Sequence, residues 1–395
     1  MNDELLAYVW KHREEDVRKL ALSGRNDAGD LDFPSALKAI QARQKLKLKH
    51  PEWYAVPEVF IPEAVVVEQS SSPETAAYKS QFVPTDGTVL DLSGGMGADS
   101  FAFAKVAKAV TYLELSQERA ELAAHNFKAL RCGNIFCHTG AAEVEGLALA
   151  KELQPDLIYL DPDRRPSAAR SRVFRLEDSR PDLTTLLPQL LAVSPSSEVL
   201  VKLSPMADLA YLKETLHFPF DTHIVSLRRE AKELLLHFSP IATQCVTVVE
   251  IGRTRTITCT TDGQITRAVE ISHRVGRYLY DLYPAFAKVG YECLGLDDPV
   301  WQPARHTHLY FSEELLPDFP GRAFELLEHN LGEKRWLREV SRQPLHLQAK
   351  NLPTSTDQLR RQLKVKEGGD LFLFAYADEA GKRNFVLARR VEPTL

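Results

Sequence analysis

The segment VLDLSGGMGADSF (residues 89–101) determines the fold class of this sequence. It is an apolar run with one carboxylate, followed by three glycines within four positions: Asp91, then Gly94, Gly95 and Gly97. After it, apolar strand-like runs alternate with helical patterns up to about residue 203. This alternation predicts an α/β fold with a parallel, doubly wound sheet, in which the turn after the first strand lies at the ligand-binding edge.

Three ligand classes compete for this glycine turn. A P-loop requires GxxxxGK[ST], and the lysine and hydroxyl residue are missing at those places. A dinucleotide turn requires GxGxxG, which the glycine spacing does not match. A turn that binds S-adenosylmethionine has an acid inside the strand and the spacing DxGxGxG. Asp91, Gly95 and Gly97 fit that spacing, and Ser93 takes the first glycine position.

The chemistry of the ligands favours the third class. A dinucleotide needs backbone amides and a helix N-terminus for its pyrophosphate. S-adenosyl-L-methionine has no phosphate and carries an ammonium, a carboxylate and a positive sulfur. A carboxylate such as Asp91 does nothing for a pyrophosphate but suits a cationic ligand, and glycines allow the backbone to approach a nucleoside closely. The predicted cofactor is therefore S-adenosyl-L-methionine.

Two later strands add acids at the same edge. The strand VTYLEL contains Glu114, about 20 residues after the turn, where an acid accepts hydrogen bonds from ribose hydroxyls. The alternative for Glu114 is a solvated strand end. The strand DLIYLDP ends in Asp161-Pro162-Asp163. A nicotinamide enzyme has no use for Asp-Pro at this strand end.

With these motifs in hand, the chain resembles class I S-adenosylmethionine-dependent methyltransferases. Within that group it resembles a bacterial family with C-terminal ferredoxin-like and THUMP-like domains, and its core distantly resembles trimethylguanosine synthase. The stretches that carry the resemblance are EQSSSPETAAYKS, LDLSGGMGADSFAFA, YLELSQERAELAAHN, IYLDPDRRP and AKNLPTSTDQLRRQLKVKEGG. The resemblance implies a Rossmann-like α/β methyltransferase sheet with an N-terminal helical segment and small C-terminal α+β domains.

The resemblance also implies domain boundaries and site residues. The expected divisions are a helical segment at 1–80, a methyltransferase domain at 81–272, a ferredoxin-like segment at 273–319 and a THUMP-like domain at 320–395. The expected cofactor-binding residues are Lys79, Asp91, Ser93, Gly94, Gly95, Gly97, Asp99, Glu114 and Glu143. Ala141 stands where the family has an acid for the adenine, so either backbone groups or Glu143 would hold that base.

The residues expected to contact the methyl acceptor follow the fourth predicted strand. Amino-group methyltransferases carry [DN]PP[YFW] there, and this chain keeps the first two residues, with Asp163 and Arg164 at the next two. The expected catalytic residues are Asp161, Asp163 and Arg164. Asp161 would orient the acceptor or accept its proton, and Asp163 and Arg164 would line the acceptor pocket.

The expected macromolecular partner is RNA, reached through local basic patches because the net charge is −5. One patch is the arginine-rich loop Arg164–Arg180, whose alternative is a solvated loop neutralised by its own acids. The other is the tail from residue 321, with 14 Lys and Arg against 10 Asp and Glu. Its densest part comprises Arg360, Arg361, Lys364 and Lys366. The alternative for the tail is a surface of mixed charge.

Composition indicates the remaining properties. Five cysteines without a CxxC pair indicate free thiols in a reducing compartment. The absence of a signal-like N-terminus and of a run of about 20 apolar residues predicts a cytoplasmic protein without membrane contact. His306 and His308 are expected to share one face of a strand, so no metal is predicted, and RYLYDLYPAFAKVG (277–290) is expected to be a helix. Oligomeric state is left open.

Two functions are compatible with these features. The first is a methyltransferase that acts on RNA delivered by the C-terminal domains. The second is a cofactor-binding protein that has lost transfer activity and serves as an RNA-binding module, which the altered fourth-strand motif keeps open.

Overall fold

A computed structural model describes residues 3–23, 31–164, 176, 179–252, 256–329, 337–338, 340 and 342–391. The chain divides into two compact units. The first comprises 1–223 with 232–244, and the second comprises 224–231 with 245–395. Within the described residues, no helix is long and apolar enough to cross a membrane.

Within the described residues, the first unit begins with six helices, in keeping with the helical N-terminal segment that the resemblance implies. They are α1 (Asp3–His12), α2 (Val17–Ser23), α3 (Phe33–Lys49), α4 (Pro51–Tyr54), α5 (Ala64–Gln69) and α6 (Pro73–Lys79). The Ser72 hydroxyl accepts a hydrogen bond from the Thr75 backbone N–H and so caps α6, which carries proline at its first position.

Strands and helices then alternate along the first unit. They are β1 (Thr88–Asp91), α7 (Ala98–Phe103), β2 (Ala109–Glu114), α8 (Gln117–Ala129), β3 (Ile135–Thr139), a π-helical turn (Ala142–Gly146), α9 (Leu147–Leu153), β4 (Leu157–Leu160), β5 (Asp163–Arg164), β6 (Ser179–Arg180), α10 (Leu183–Val193), β7 (Glu198–Leu203), α11 (Leu209–Thr215), β8 (Asp221–Leu227) and β9 (Glu230–Phe238). Strands β8 and β9 each cross the border between the two units.

The sheet order in the first unit is β3-β2-β1-β4-β7-β9. The first five strands are parallel, and β9 runs antiparallel to β7. The predicted doubly wound α/β sheet is therefore confirmed. Because β1, β2 and β4 run in the same direction, the acids at their carboxyl ends meet at one edge of the sheet.

A hydrophobic cluster packs the N-terminal helices against the helices that follow the glycine turn. It contains Trp53 and Val67 from the N-terminal segment with Phe101, Tyr112 and Phe127. The Trp53 ring makes edge contacts with Phe101 and Phe127, at ring-centroid distances of 5.5 and 6.5 Å. The N-terminal helical segment is thus built into the core of the first unit.

The second unit contains a hairpin and an eight-stranded sheet. Its elements are β10 (Val246–Ile251), β11 (Thr256–Thr261), β12 (Glu270–Ile271), β13 (Tyr278–Leu282), α12 (Pro284–Val289), β14 (Trp301–Gln302), β15 (Leu309–Ser312), β16 (Gly321–His329), β17 (His346–Lys350), α13 (Thr356–Leu363), β18 (Leu371–Ala377) and β19 (Arg383–Val391). The sheet order is β12-β14-β15-β13-β16-β19-β18-β17. It runs without a break through both predicted C-terminal segments, 273–319 and 320–395.

Two local predictions in this unit are wrong. The expected helix over 277–290 is strand β13 followed by the short helix α12, because β13 pairs with β15 on one side and β16 on the other, and Pro284 opens the helix. His306 and His308 do not share a strand face. Both have positive φ, +63° and +52°, and lie before β15 begins.

Candidate active site

The glycine turn connects β1 to α7 and uses each glycine differently. Gly95 and Gly97 have φ of +56° and +84°, in the left-handed region that favours glycine. A Cβ at Gly94 would lie 2.4 Å from the Tyr112 ring, and one at Gly97 would lie 2.3 Å from the Phe127 ring. A Cβ at Gly95 would meet only the Ser93 carbonyl oxygen, at 3.6 Å. Gly94 and Gly97 thus allow close packing, and Gly95 leaves space in front of the turn.

Asp91 ends β1 and is buried. Its carboxylate accepts hydrogen bonds from the Ser93 backbone N–H at 3.0 Å, the Ser93 hydroxyl at 3.3 Å and the Ser100 hydroxyl at 2.6 Å. Burial raises the pKa of Asp91 to about 7, against the opposing effect of these hydrogen bonds. The acid predicted from the turn therefore stands at the base of the turn and takes part in fixing its shape.

Glu114 ends β2 and joins that strand to the glycine turn. One carboxylate oxygen accepts from the Gly95 N–H at 2.9 Å, and the other accepts from the Ser116 N–H at 3.0 Å. The Tyr112 hydroxyl donates to the Gly95 carbonyl at 2.8 Å. Each carboxylate oxygen can accept more than one hydrogen bond, so Glu114 retains acceptor capacity.

The acids and the turn line one cleft of about 490 Å³ within the first unit. That volume is within the range of small-molecule sites. Of the residues expected to bind the cofactor, the cleft is lined by Asp91, Ser93, Gly94, Gly95, Gly97, Asp99, Glu114 and Glu143. The remaining one, Lys79, is fully buried and is absent from the lining.

The cleft lining is acidic. Among the described residues that line it, six are carboxylic acids and two are arginines: Asp91, Asp99, Glu114, Glu143, Asp161 and Asp163 against Arg119 and Arg180. A site with this balance favours a cation and disfavours a pyrophosphate.

Asp161 follows β4 and lies in the same cleft, with 36% of its side chain exposed. Its backbone N–H donates to the Ser93 hydroxyl at 2.6 Å, which ties the fourth strand to the glycine turn. Its carboxylate accepts a hydrogen bond from the Lys202 ammonium on β7. Burial lowers the pKa of Lys202, but the negative charges of Asp161, Asp99 and Glu233 together raise it above its ordinary value, so Lys202 remains cationic.

Behind the cleft, Lys79 is surrounded by acids. Its ammonium lies 2.8 Å from both carboxylate oxygens of Glu233 and 3.2 Å from Asp99 Oδ1. Asp99 Oδ2 accepts from the Ser71 hydroxyl at 2.8 Å and the Tyr159 hydroxyl at 2.9 Å. Burial alone would raise the pKa of Asp99, but the charges of Lys79 and Lys202 lower it. Lys79 thus does not line the cleft itself but contacts Asp99, which does.

The altered part of the fourth-strand motif is described only in part. Asp163 is exposed, lines the cleft and pairs with Arg180 in the short β5–β6 ladder. The backbone of Arg164 pairs with Ser179, but its side chain lies outside the described residues. The rest of the arginine-rich loop, at 165–175 and 177–178, also lies outside them, and Leu176 between these two stretches is buried.

The N-terminal segment supplies one wall of the cleft, with Ser70 and Ser71 in its lining. The Lys49 ammonium caps the end of α5 by donating to the carbonyls of Val67 at 2.9 Å and Glu68 at 2.8 Å. His50 Nε2 lies 2.9 Å from the Ser70 hydroxyl. The carboxyl end of α3 therefore positions this wall.

The predicted basic patch of the tail is partly neutralised. Helix α13 begins with a capping box formed by Ser355 and Gln358. The Arg360 guanidinium lies 2.9 Å from Asp357 and 2.8 Å from Glu367. Arg361, Lys364 and Lys366 are exposed, so three of the four residues present their charge to solvent.

Sequence reasoning missed four residues of the site: Ser71, Tyr159, Lys202 and Glu233. Lys202 and Glu233 come from β7 and β9, far along the chain from the glycine turn, and no local motif marks them. A weak signal exists for each, because Lys202 interrupts the apolar run VLVKL and Glu233 opens the run ELLLHF. For metals, no group of three or more His, Cys, Asp or Glu residues among those described is arranged to hold an ion.

Comparisons with known proteins agree with this geometry. Residues 321–390 match the family model described as THUMP domain-like. An inferred methyltransferase from Porphyromonas gingivalis W83 is similar over the whole chain, with 28% identity, a TM-score of 0.83 and 99% coverage of both chains. None of the curated proteins matches the sequence.

Two further solved structures match part of the chain. One is an S-adenosylmethionine-dependent methyltransferase from Neisseria gonorrhoeae, with 22% identity, a TM-score of 0.30 and coverage of 43% of this chain and 66% of that one. The other is a tRNA methyltransferase from M. jannaschii, with 13% identity, a TM-score of 0.30 and coverage of 46% and 53%.

The sheet order, the cleft at its carboxyl edge and the whole-chain similarity define the class: this is the fold of class I S-adenosylmethionine-dependent methyltransferases. More narrowly, the chain is a class I methyltransferase-fold protein with a THUMP-like domain at its C-terminal end.

Proposed function

We propose that this protein is an S-adenosylmethionine-dependent methyltransferase that acts on RNA in the cytoplasm. The observation that carries the proposal is the acidic cleft at the carboxyl ends of β1, β2 and β4, in a chain similar over its full length to an inferred methyltransferase. The division of the second unit into ferredoxin-like and THUMP-like parts remains a prediction within this proposal.

The residues present fit S-adenosylmethionine better than a dinucleotide. The part of the lining that the structure describes has six acids against two arginines, which suits a ligand with a sulfonium and an ammonium. The space in front of Gly95 allows a ligand to approach the backbone closely. In the proposal, Asp91 and the turn from Ser93 to Gly97 hold the amino-acid end, and Glu114 holds the ribose. Glu143, which is exposed in the lining, is available to the adenine.

Bound S-adenosylmethionine would supply an electrophilic methyl group. The protein's task is then to place the acceptor in line with that group and to take up the acceptor's proton. Asp161 lies in the cleft, and its partly exposed carboxylate is held by Lys202. We assign to Asp161 the role of orienting the acceptor or accepting its proton, and to Asp163 and Arg164 a place in the acceptor pocket.

The RNA assignment draws on the second unit. Residues 321–390 match a THUMP domain-like model, and Arg361, Lys364 and Lys366 expose positive charge at helix α13. Phosphate groups bind to such side chains with release of counterions. These features support delivery of RNA by the C-terminal part of the chain.

The test combines binding and product analysis. Calorimetry with S-adenosylmethionine establishes cofactor binding. Mass spectrometry of nucleosides from cells with and without the gene should show one methylated nucleoside that disappears on deletion. Cofactor binding together with an unchanged nucleoside profile would favour the alternative, an RNA-binding protein that keeps the cofactor without transferring its methyl group.

A further inference from the structure

A buried charge network lies directly behind the cleft. It contains three carboxylates and two ammoniums from five separate elements or their ends: Asp99, Asp161 and Glu233 with Lys79 and Lys202. Lys79 is fully buried and Glu233 exposes 2%. Two members of the network, Asp99 and Asp161, line the cleft, and Lys79, Lys202 and Glu233 support them from behind.

With all five groups ionised, the network carries a net charge of −1. The hydrogen bonds fix where that charge lies. Lys79 donates to both carboxylate oxygens of Glu233 and forms an ion pair with Asp99, and Asp99 accepts hydrogen bonds from the Ser71 and Tyr159 hydroxyls. Lys202 bonds to Asp161. Each ammonium thus has a partner carboxylate, and the surplus carboxylate charge lies on the cleft side.

In the absence of a cation, burial and mutual repulsion disfavour the ionised form of the carboxylates in the network. Burial raises the pKa of Glu233 and of Asp161, and the negative charge of Asp99 adds to both increases. A positive charge in the cleft would offset this repulsion. A neutral ligand of the same shape would not.

We propose that the network of Lys79, Asp99, Asp161, Lys202 and Glu233 makes the cleft select the positively charged sulfonium donor over its neutral thioether product, S-adenosylhomocysteine. Lys79, Glu233 and Lys202 are then positioning residues that act through Asp99 and Asp161. This inference rests on the proposed function, because it takes the two ligands of that function as the pair to be discriminated.

The experiment is a calorimetric measurement of the dissociation constants for S-adenosylmethionine and S-adenosylhomocysteine. The two ligands share adenine, ribose and the amino-acid end and differ by the methyl group on sulfur and its charge, so the change in the ratio of their constants between variants reports on the sulfonium charge. Glu233→Gln removes the surplus charge and should lower the preference for S-adenosylmethionine. The expected change is on the order of tenfold, the effect of one unit charge acting over roughly 10 Å at an effective dielectric constant of about 20.

Two further variants test whether the preference for S-adenosylmethionine follows the sign of the network charge. Lys79→Met makes the network more negative and should raise the preference for S-adenosylmethionine by a similar factor. The double variant Lys79→Met with Glu233→Gln restores the net charge of −1 and should have nearly the wild-type ratio. A purely structural role would move all three ratios in the same direction or leave them unchanged, and either result would overturn the proposal.

Breaking a buried pair destabilises proteins, so thermal unfolding of each variant accompanies the titrations. If a single Lys79 or Glu233 variant does not fold, two substitutions at the more exposed end of the network replace them. Asp161→Asn should lower the preference for S-adenosylmethionine, and Lys202→Met should raise it. A wild-type chain that binds neither ligand would contradict the proposed function. A chain that binds both ligands, with a ratio independent of the network charge, would contradict only this inference.

Discussion

Gly95→Ala tests two properties of this glycine. Its backbone conformation should affect the stability of the protein, and the space it leaves in the cleft should affect ligand binding. Gly95 has φ +56°, so an alanine there costs about 1–2 kcal/mol of stability. Among the described residues beyond its two chain neighbours, a Cβ would meet no atom closer than 3.6 Å, so packing against them adds nothing further. The expected loss is roughly 2–8 °C in Tm for a unit of this size.

Ligand binding should suffer separately. Since Gly95 lines the cleft, the new methyl group occupies space that the cofactor needs, and overpacking by one such group costs about 1–3 kcal/mol. The dissociation constant for S-adenosylmethionine, measured by calorimetry, should rise about 10- to 100-fold.

Gly263→Ala is the matched control. Gly263 has φ +81°, and a Cβ at this position would meet no atom within 4 Å. It lies in the second unit, outside the cleft lining. The control variant should lose similar stability and keep wild-type affinity. A folded Gly95→Ala chain that binds S-adenosylmethionine as tightly as wild type would refute the assignment of the glycine turn.

Three other predictions concern catalysis, pH and RNA. Asp161→Ala should lower methyl transfer about 100-fold or more, while the dissociation constant of the cofactor changes by much less, and normal turnover would remove Asp161 from catalysis. Affinity for S-adenosylmethionine should rise as the pH passes through about 7, where Asp91 ionises, and Asp91→Asn should lack this rise. Replacing Arg361, Lys364 and Lys366 by Glu should weaken RNA binding and flatten its salt dependence in filter binding, with cofactor binding unchanged. An unchanged salt slope would leave the helix a structural element.

The sign of the Asp91 effect on stability is opposite to its effect on binding. Burial holds the pKa of Asp91 near 7 in the folded chain, above its ordinary value of 3.8. The folded state therefore keeps a proton that the unfolded state releases, and the free energy of unfolding falls as the pH rises from about 4 to about 7. Denaturant titrations of wild type and Asp91→Asn across this range should diverge, and parallel curves would contradict the assignment.

Point substitutions test RNA binding by the tail better than a truncation does, because strands on both sides of the expected boundary belong to one sheet. Strand β13 pairs with β16 across the expected boundary at 319/320, so a truncation there would expose the edge of β13. Arg360 is left out since its guanidinium is already paired with Asp357 and Glu367.

The sequence predicts the parts of the site that depend on short-range pattern. Asp91, Gly95 and Glu114 follow from the spacing of a strand, a turn and a second strand, and the structure places all three in one cleft. Lys202 and Glu233 could not be predicted, because their partners Asp161 and Lys79 are 41 and 154 residues away in the chain. Lys79 shows the same limit, since its place behind the cleft depends on a strand far along the chain.

Prediction of helix or strand from sequence also fails where pairing with distant strands determines the secondary structure. The segment at 278–282 is compatible with either state by its apolar content, and pairing on both sides makes it a central strand. By contrast, the start of helix α13 is marked by a local signal, the Ser355 capping box, which depends only on residues close together in the chain.

The most direct measurement of the central claim is transfer of label from tritium-labelled S-adenosylmethionine to total RNA from a strain that lacks the gene. We expect label in RNA with the wild-type chain and a loss of label with Asp161→Ala. A wild-type chain that binds S-adenosylmethionine but leaves the RNA unlabelled would contradict this claim.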